Sequence, residues 1–154
     1  VPALTMKSNS EVVSAQSFLR KMMQDGNTAE AKKALKALIA DVPYSNKKMA
    51  SMDMEERYRL IMSTIFRALG FRVEVERMLA TGRIDMIVEV PSIIYVLELK
   101  LSNNGGISAA ESQIKDKSYT EPFKADKRKV IALAVELDET GKGLIDWKEV
   151  DEGV

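Results

Sequence analysis

The chain contains no cysteine and no histidine. The first absence excludes a disulfide framework, thiolate metal sites and a cysteine nucleophile. The second excludes Ser-His and Cys-His catalysis, a histidine general base and histidine-ligated zinc. Any bound metal must therefore be held by oxygen, which favours Mg²⁺, Mn²⁺ or Ca²⁺. Charge of one sign is lacking as well: 23 basic residues face 23 acidic ones. A nucleic-acid binder usually carries a basic excess, so neutrality counts against a broad polyanion-binding surface, although a neutral domain can still present one basic face. No apolar run reaches the roughly 18 residues of a membrane span. The opening VPALTMKSNSE has neither the apolar core of a signal peptide nor an initiating methionine. The expectation is a cytoplasmic fragment of a longer protein, of the kind a C-terminal domain would give.

At 154 residues the chain is long enough for one domain with an added helical piece. Its centre is Gly82–Lys100, GRIDMIVEVPSIIYVLELK. Two aliphatic runs, Ile84–Val90 and Ile93–Leu101, flank a Val-Pro-Ser corner and read as a strand hairpin buried on both faces. Ahead of it, Glu11–Gln24 and Thr28–Ile39 read as helices joined by a Gly26-Asn27 turn. Lys32, Lys33 and Lys36 form a polar edge, read as a solvated face. Asp53–Leu69 is a third helix, with Asp53 and Glu56 as a capping box and Met54, Tyr58, Ile61, Met62, Ile65, Phe66 and Leu69 at helical spacing. Phe71–Arg77 alternates as a half-buried strand. Beyond Lys100, a Gly-Gly loop leads to a helix with Ser108 and Glu111 as a second capping box, running to about Glu121. Val130–Val135 and Leu144–Val150 are strands, the latter at an edge, with Trp147 as a packing anchor. A meander, a crossover helix and a strand parallel to a core strand make a three-layer α/β domain around a mixed sheet. The chain divides into residues 1–50, a helical appendage and linker, and 51–154, the α/β domain.

Against the apolar hairpin three charges stand out: Asp85, Glu98 and Lys100. Isolated buried charges require a partner or a metal. Glu98 and Lys100, two apart on a strand, project from one face, while Leu97, Leu99 and Leu101 take the other. An acid on one strand and Glu-x-Lys on the next can converge on one point. The residues alone leave open whether this is a metal site or a buried ion pair of Lys100 with one of the acids.

GRID, YVLELK and the later QIKDKSY, in that order, resemble the PD-(D/E)xK nuclease superfamily, and specifically bacterial proteins in which such a domain follows an AAA-ATPase-like domain. The resemblance spans roughly Glu55 to Trp147, with Ile-Asp in place of Pro-Asp in the first motif. It implies a restriction-endonuclease-like fold and a metal-dependent deoxyribonuclease. In that reading Asp85 and Glu98 hold Mg²⁺ or Mn²⁺ with the Leu99 carbonyl, and Glu55, near the start of its helix, joins the metal site. Lys100 serves the reaction. Gln113, which with Ile114, Lys117 and Tyr119 matches the family's later motif, orients groups at the site. The implied partners are DNA and an ATPase-like domain of the same full-length chain. The alternative is a nuclease-derived binding or regulatory module without activity, or an interaction domain docking through its N-terminal helices.

Overall fold

The computed structural model describes residues 9–42 and 51–151. Most of the expected linker around Ser45–Ser51 lies outside them. Three helices come first: α1 (Asn9–Asp25), α2 (Thr28–Ala40) and α3 (Met54–Ala68). Strands β1 (Arg72–Met78), β2 (Arg83–Glu89) and β3 (Ile93–Leu101) follow, then helix α4 (Gly106–Lys117), β4 (Lys129–Leu137) and β5 (Leu144–Val150). The five strands form one sheet in the order β1-β2-β3-β4-β5. Only β3 and β4 run parallel, joined by α4 as the crossover, and the other neighbours are antiparallel. This is the mixed-sheet α/β architecture expected from the order of elements. None of the described helices is long and apolar enough to cross a membrane.

The sheet has a core on each face. On one side Met86, Val88, Tyr95, Leu97 and Leu99 pack with Tyr58, Met62 and Phe66 of α3 and with Leu19, Met23, Leu35 and Ile39 of α1 and α2. On the other, Ile87, Ile94 and Val96 meet Ala110 and Ile114 of α4, with Tyr119 and Phe123. Each aliphatic side chain taken fully out of water contributes roughly 1.5–3 kcal/mol, so both layers hold the hairpin. The N-terminal helices are tied to the sheet by specific bonds too. The Trp147 indole donates to the Thr28 carbonyl at 2.8 Å, and the Tyr95 hydroxyl donates to the Met23 carbonyl. Lys32 pairs with Asp146 at 2.7 Å, so the lysine edge of α2 is partly spent on the sheet.

Local chemistry explains the helix ends. The Asp53 carboxylate accepts the Glu56 amide at 2.8 Å and caps α3, as its sequence signature predicts. Asn27 caps α2 in the same way through Glu30. The capping box expected at Ser108 does not form, because α4 begins earlier, at Gly106, with no side-chain cap from its own first turn. Instead Glu136 of β4 accepts the Ile107 amide at 3.0 Å and the Ser102 hydroxyl at 2.7 Å. This approach requires a glycine: a Cβ on Gly106, at φ 53°, would fall 2.2 Å from a Glu136 oxygen. The helix also ends sooner than expected, at Lys117, where Ser118 turns left-handed at φ 51°.

Candidate active site

The sheet is irregular beside the central acid. Between β1 and β2 the register pairs Val75 with Met86 and Arg77 with Ile84 but passes over Glu76 opposite Asp85. Glu76 has a positive φ of 55°, which few non-glycine residues adopt. The faces shift at the same point. Met86 joins the α3-side core, yet Ile84, which strict alternation would place beside it, joins the α4-side core with Ile87. Arg77, opposite Ile84, lies on that same side, its guanidinium 5.3 Å from the Phe123 ring centre. On the other flank, the β2–β3 pairs end at Met86–Leu97, and continuing that register sets Asp85 against Glu98. Beyond it, the Leu99 amide donates to Asp85 Oδ2 at 2.8 Å. A carboxylate thus takes a main-chain donor that the interrupted ladder leaves over.

Asp85 and Glu98 are both almost fully buried, and both line one cleft. Burial, and then the Asp85 charge, push the Glu98 carboxyl up to about 9, with Lys100 pulling the other way. Glu98 Oε1 is buried without a hydrogen-bond partner. Such an atom costs about 1–3 kcal/mol of desolvation unless something meets it. Above the acid pair opens a cleft of about 450 Å³.

The cleft gathers most of the residues singled out from the sequence. Asp85, Glu98, Lys100, Gln113 and Glu55 all line it. Glu55 reaches it from the first turn of α3, and its carboxyl is raised by burial and by Asp85, against the pull of Lys100 and Arg59. It does not close with the other two acids: among the described residues no three Asp or Glu side chains stand together as a ready metal cage. Leu99 is fully buried on the opposite face, and its amide is the atom held by Asp85. Gln113 Nε2 donates to the Tyr119 hydroxyl at 3.0 Å. Tyr119 is itself fully buried. Gly82 makes room for it, since a Cβ there would lie 3.1 Å from the hydroxyl.

Sequence reasoning did not foresee the part that three residues play at this site. Exposed Met78 forms part of the cleft wall. Tyr119 fixes the amide of Gln113, although the motif match included it. Glu76 sits behind the wall, pairing with Arg59 of α3 at 2.5 Å and with Arg83 at 3.6 Å. The missing ladder pair opposite Asp85 leaves no trace in composition or alternation.

Comparisons with known proteins identify the family. Residues 53–147 match the PD-(D/E)XK nuclease superfamily, from the cap of α3 to Trp147 on β5. The chain is 30% identical over 114 residues to a protein of Azotobacter chroococcum mcd 1 described as "Uncharacterized protein in vnfD 5'region". That alignment covers 72% of this chain but 22% of the relative, so the chain spans about a fifth of the length of the curated relative it matches. No solved structure matches it. The family match covers the whole cleft and most of the sheet, and the chain belongs to the PD-(D/E)XK nuclease superfamily.

Proposed function

We propose that the cleft hydrolyses DNA phosphodiester bonds with Mg²⁺ or Mn²⁺ held by Asp85 and Glu98. The observation that carries this reading is the partnerless Glu98 Oε1, buried against Asp85 at the floor of an open cleft. Two converging carboxylates in a chain without histidine or cysteine make an all-oxygen donor set, which fits a hard divalent cation. Members of this superfamily generally use such ions. When bound, the ion lowers the pKa of a coordinated water and stabilises charge on the attacked phosphate.

The remaining work falls to the chain. Asp85 and Glu98 would hold the ion, with the Leu99 carbonyl as a further oxygen. The bond from the Leu99 amide to Asp85 keeps that carboxylate in place. Glu55, on the wall of the same cleft, would supply an additional acid. Lys100, on the same strand face as Glu98, orients the attacking water and sets a point charge beside the phosphate. Gln113, steadied by Tyr119, orients the same water or the phosphate. Arg83 and Lys117, on the cleft wall, meet backbone phosphates on either side. An AAA-ATPase-like domain in the full-length protein belongs to this proposal through the resemblance of the motif segments.

A second reading, a nuclease-derived binding or regulatory module, draws on the zero net charge and on the lack of a three-acid cage among the described residues. A cleavage assay separates the two. The 154-residue chain is incubated with single-stranded, double-stranded and branched DNA, with Mg²⁺, Mn²⁺ or a chelator. The nuclease reading expects metal-dependent cleavage that disappears in Asp85→Ala. No cleavage of any substrate with either ion transfers the function to the second reading.

A further inference from the structure

We infer that Glu76 is a positioning residue, which holds Arg59 away from Glu55 so that Glu55 stays available to the metal site. This rests on the metal-site reading given above. Arg59 stands between two acids. It binds Glu76 at 2.5 Å and reaches Glu55, one helical turn away, only at 4.0 Å. The Glu55–Arg59 pair has the i,i+4 order, acid first, that closes most readily on a helix. Arg59 is largely buried, with its side chain 11% exposed, so it has few other places to go.

The backbone directs this arrangement. Glu76 lies opposite Asp85 across the β1–β2 ladder, and an extended residue there would project from the same sheet face as Asp85. Its carboxylate would then crowd the acid pair. The left-handed conformation at φ 55° turns the side chain toward α3 instead, where it meets Arg59 and Arg83. Strain of this kind persists where the surroundings impose it, and it gathers at functional sites. One backbone irregularity therefore does two things. It keeps a further carboxylate out of the acid pair, and it occupies the arginine that would otherwise neutralise Glu55.

Manganese titration by calorimetry on the 154-residue chain tests this. Glu76→Gln frees Arg59 to close on Glu55 and should weaken Mn²⁺ binding on the order of tenfold, the low end of what losing an outer partner of a metal ligand does. Adding Arg59→Met should return affinity to the parent's value, because nothing then captures Glu55. Glu76→Gln binding as tightly as the parent overturns the inference. So does a double variant that stays as weak as Glu76→Gln, since the loss would then be a general disturbance of the fold. Asp85→Asn runs alongside: if the parent binds no Mn²⁺, or Asp85→Asn binds as well as the parent, the metal-site reading fails and takes the inference with it.

Discussion

The two ends of the β2–β3 hairpin are built from the same strands and do opposite things. At the corner end the ladder is regular. Val88 faces Tyr95, Glu89 faces Ile94, and the Val90 amide closes the turn on the Ile93 carbonyl at 3.0 Å. Val88, Val90, Ile93, Ile94 and Tyr95 each enter one of the two cores, while Glu89 pairs with Arg128 at 2.9 Å. A few residues along, pairing with β1 lapses opposite Asp85, Ile84 changes face, a carboxylate takes the Leu99 amide, and Glu98 keeps a buried oxygen without a partner. The corner end holds the strands at fixed spacing. The open end gives up main-chain pairing, and that loss lets two acids converge in a buried place. Rigidity at one end makes irregularity at the other tolerable, and the two ends should respond differently to substitution.

The largest difference is expected in chemistry. Lys100→Met preserves volume and removes the charge, so cleavage should fall on the order of 10²–10³-fold, the typical loss for a positioned charge. Mn²⁺ binding should stay close to the parent's. Asp85→Ala should abolish both. Single-turnover cleavage beside a metal titration reads this, and Lys100→Met cutting as fast as the parent would reduce Lys100 to an ion-pair partner.

At the corner end the loss should be in stability alone. Ile94 is 1% exposed between β2 and the α4 layer. Ile94→Ala removes buried methyl groups and leaves a cavity, which destabilises by about 2–5 kcal/mol. Urea unfolding measures it. Under native conditions, the molecules that remain folded should still bind Mn²⁺ with the parent's affinity. A drop in affinity as large as that of Asp85→Ala would erase the distinction between the two ends.

The same contrast decides what could be read in the sequence. The corner end was legible because aliphatic runs on both sides of a Val-Pro-Ser corner are local signals that the sheet then obeys. Helix α3 was legible down to its cap, since Asp53 and Glu56 are three residues apart. Asp85, Glu98 and Lys100 stood out as charges in an apolar stretch, and one cleft does bring them together. The open end was only half legible. Glu76 reads as an outward residue of an alternating strand, and alternation carries no information on the sign of φ. The cap of α4 was misread for a related reason. Its acceptor is Glu136, 29 residues from the amide it binds, so Ser108 and Glu111 were the nearest signal and the wrong one. Long-range pairing supplied what local pattern lacked in both places.

A third expectation concerns pH. Burial and Asp85 raise the Glu98 carboxyl from an ordinary 4.5 to about 9. Between those values the folded protein keeps a proton that the unfolded chain has released. Metal-free stability is therefore fullest near the acid end of that window and declines as pH rises toward 9. One such proton gives a slope of up to about 1.4 kcal/mol per pH unit. Glu98→Gln carries no such proton, so its stability should be nearly flat across the window and should exceed the parent's on the alkaline side. Denaturant midpoints of both proteins at several pH values check it. Parallel profiles would mean that Glu98 ionises freely in the fold and that the open end stores no such conflict.

The smallest effect isolates the backbone irregularity itself. Glu76→Gln and Glu76→Gly both lose the ion pair with Arg59, a partly exposed contact of about 0.2–1 kcal/mol. They differ in conformation. Glutamine must still adopt a φ of 55°, where an L side chain costs roughly 1–2 kcal/mol. Glycine takes that φ freely but loses about 0.5–1 kcal/mol more backbone entropy on folding. The balance leaves Glu76→Gly more stable than Glu76→Gln by up to about 1.5 kcal/mol, a shift of a few degrees in melting temperature. The sign carries the information. If glycine is the less stable of the two, residue 76 is not strained in the folded protein, and the break in the ladder beside Asp85 must be held by the carboxylate's bond to Leu99 alone. If glycine is the more stable, the open end keeps a residue that lowers its own stability, and the role of that residue lies in where it points the carboxylate.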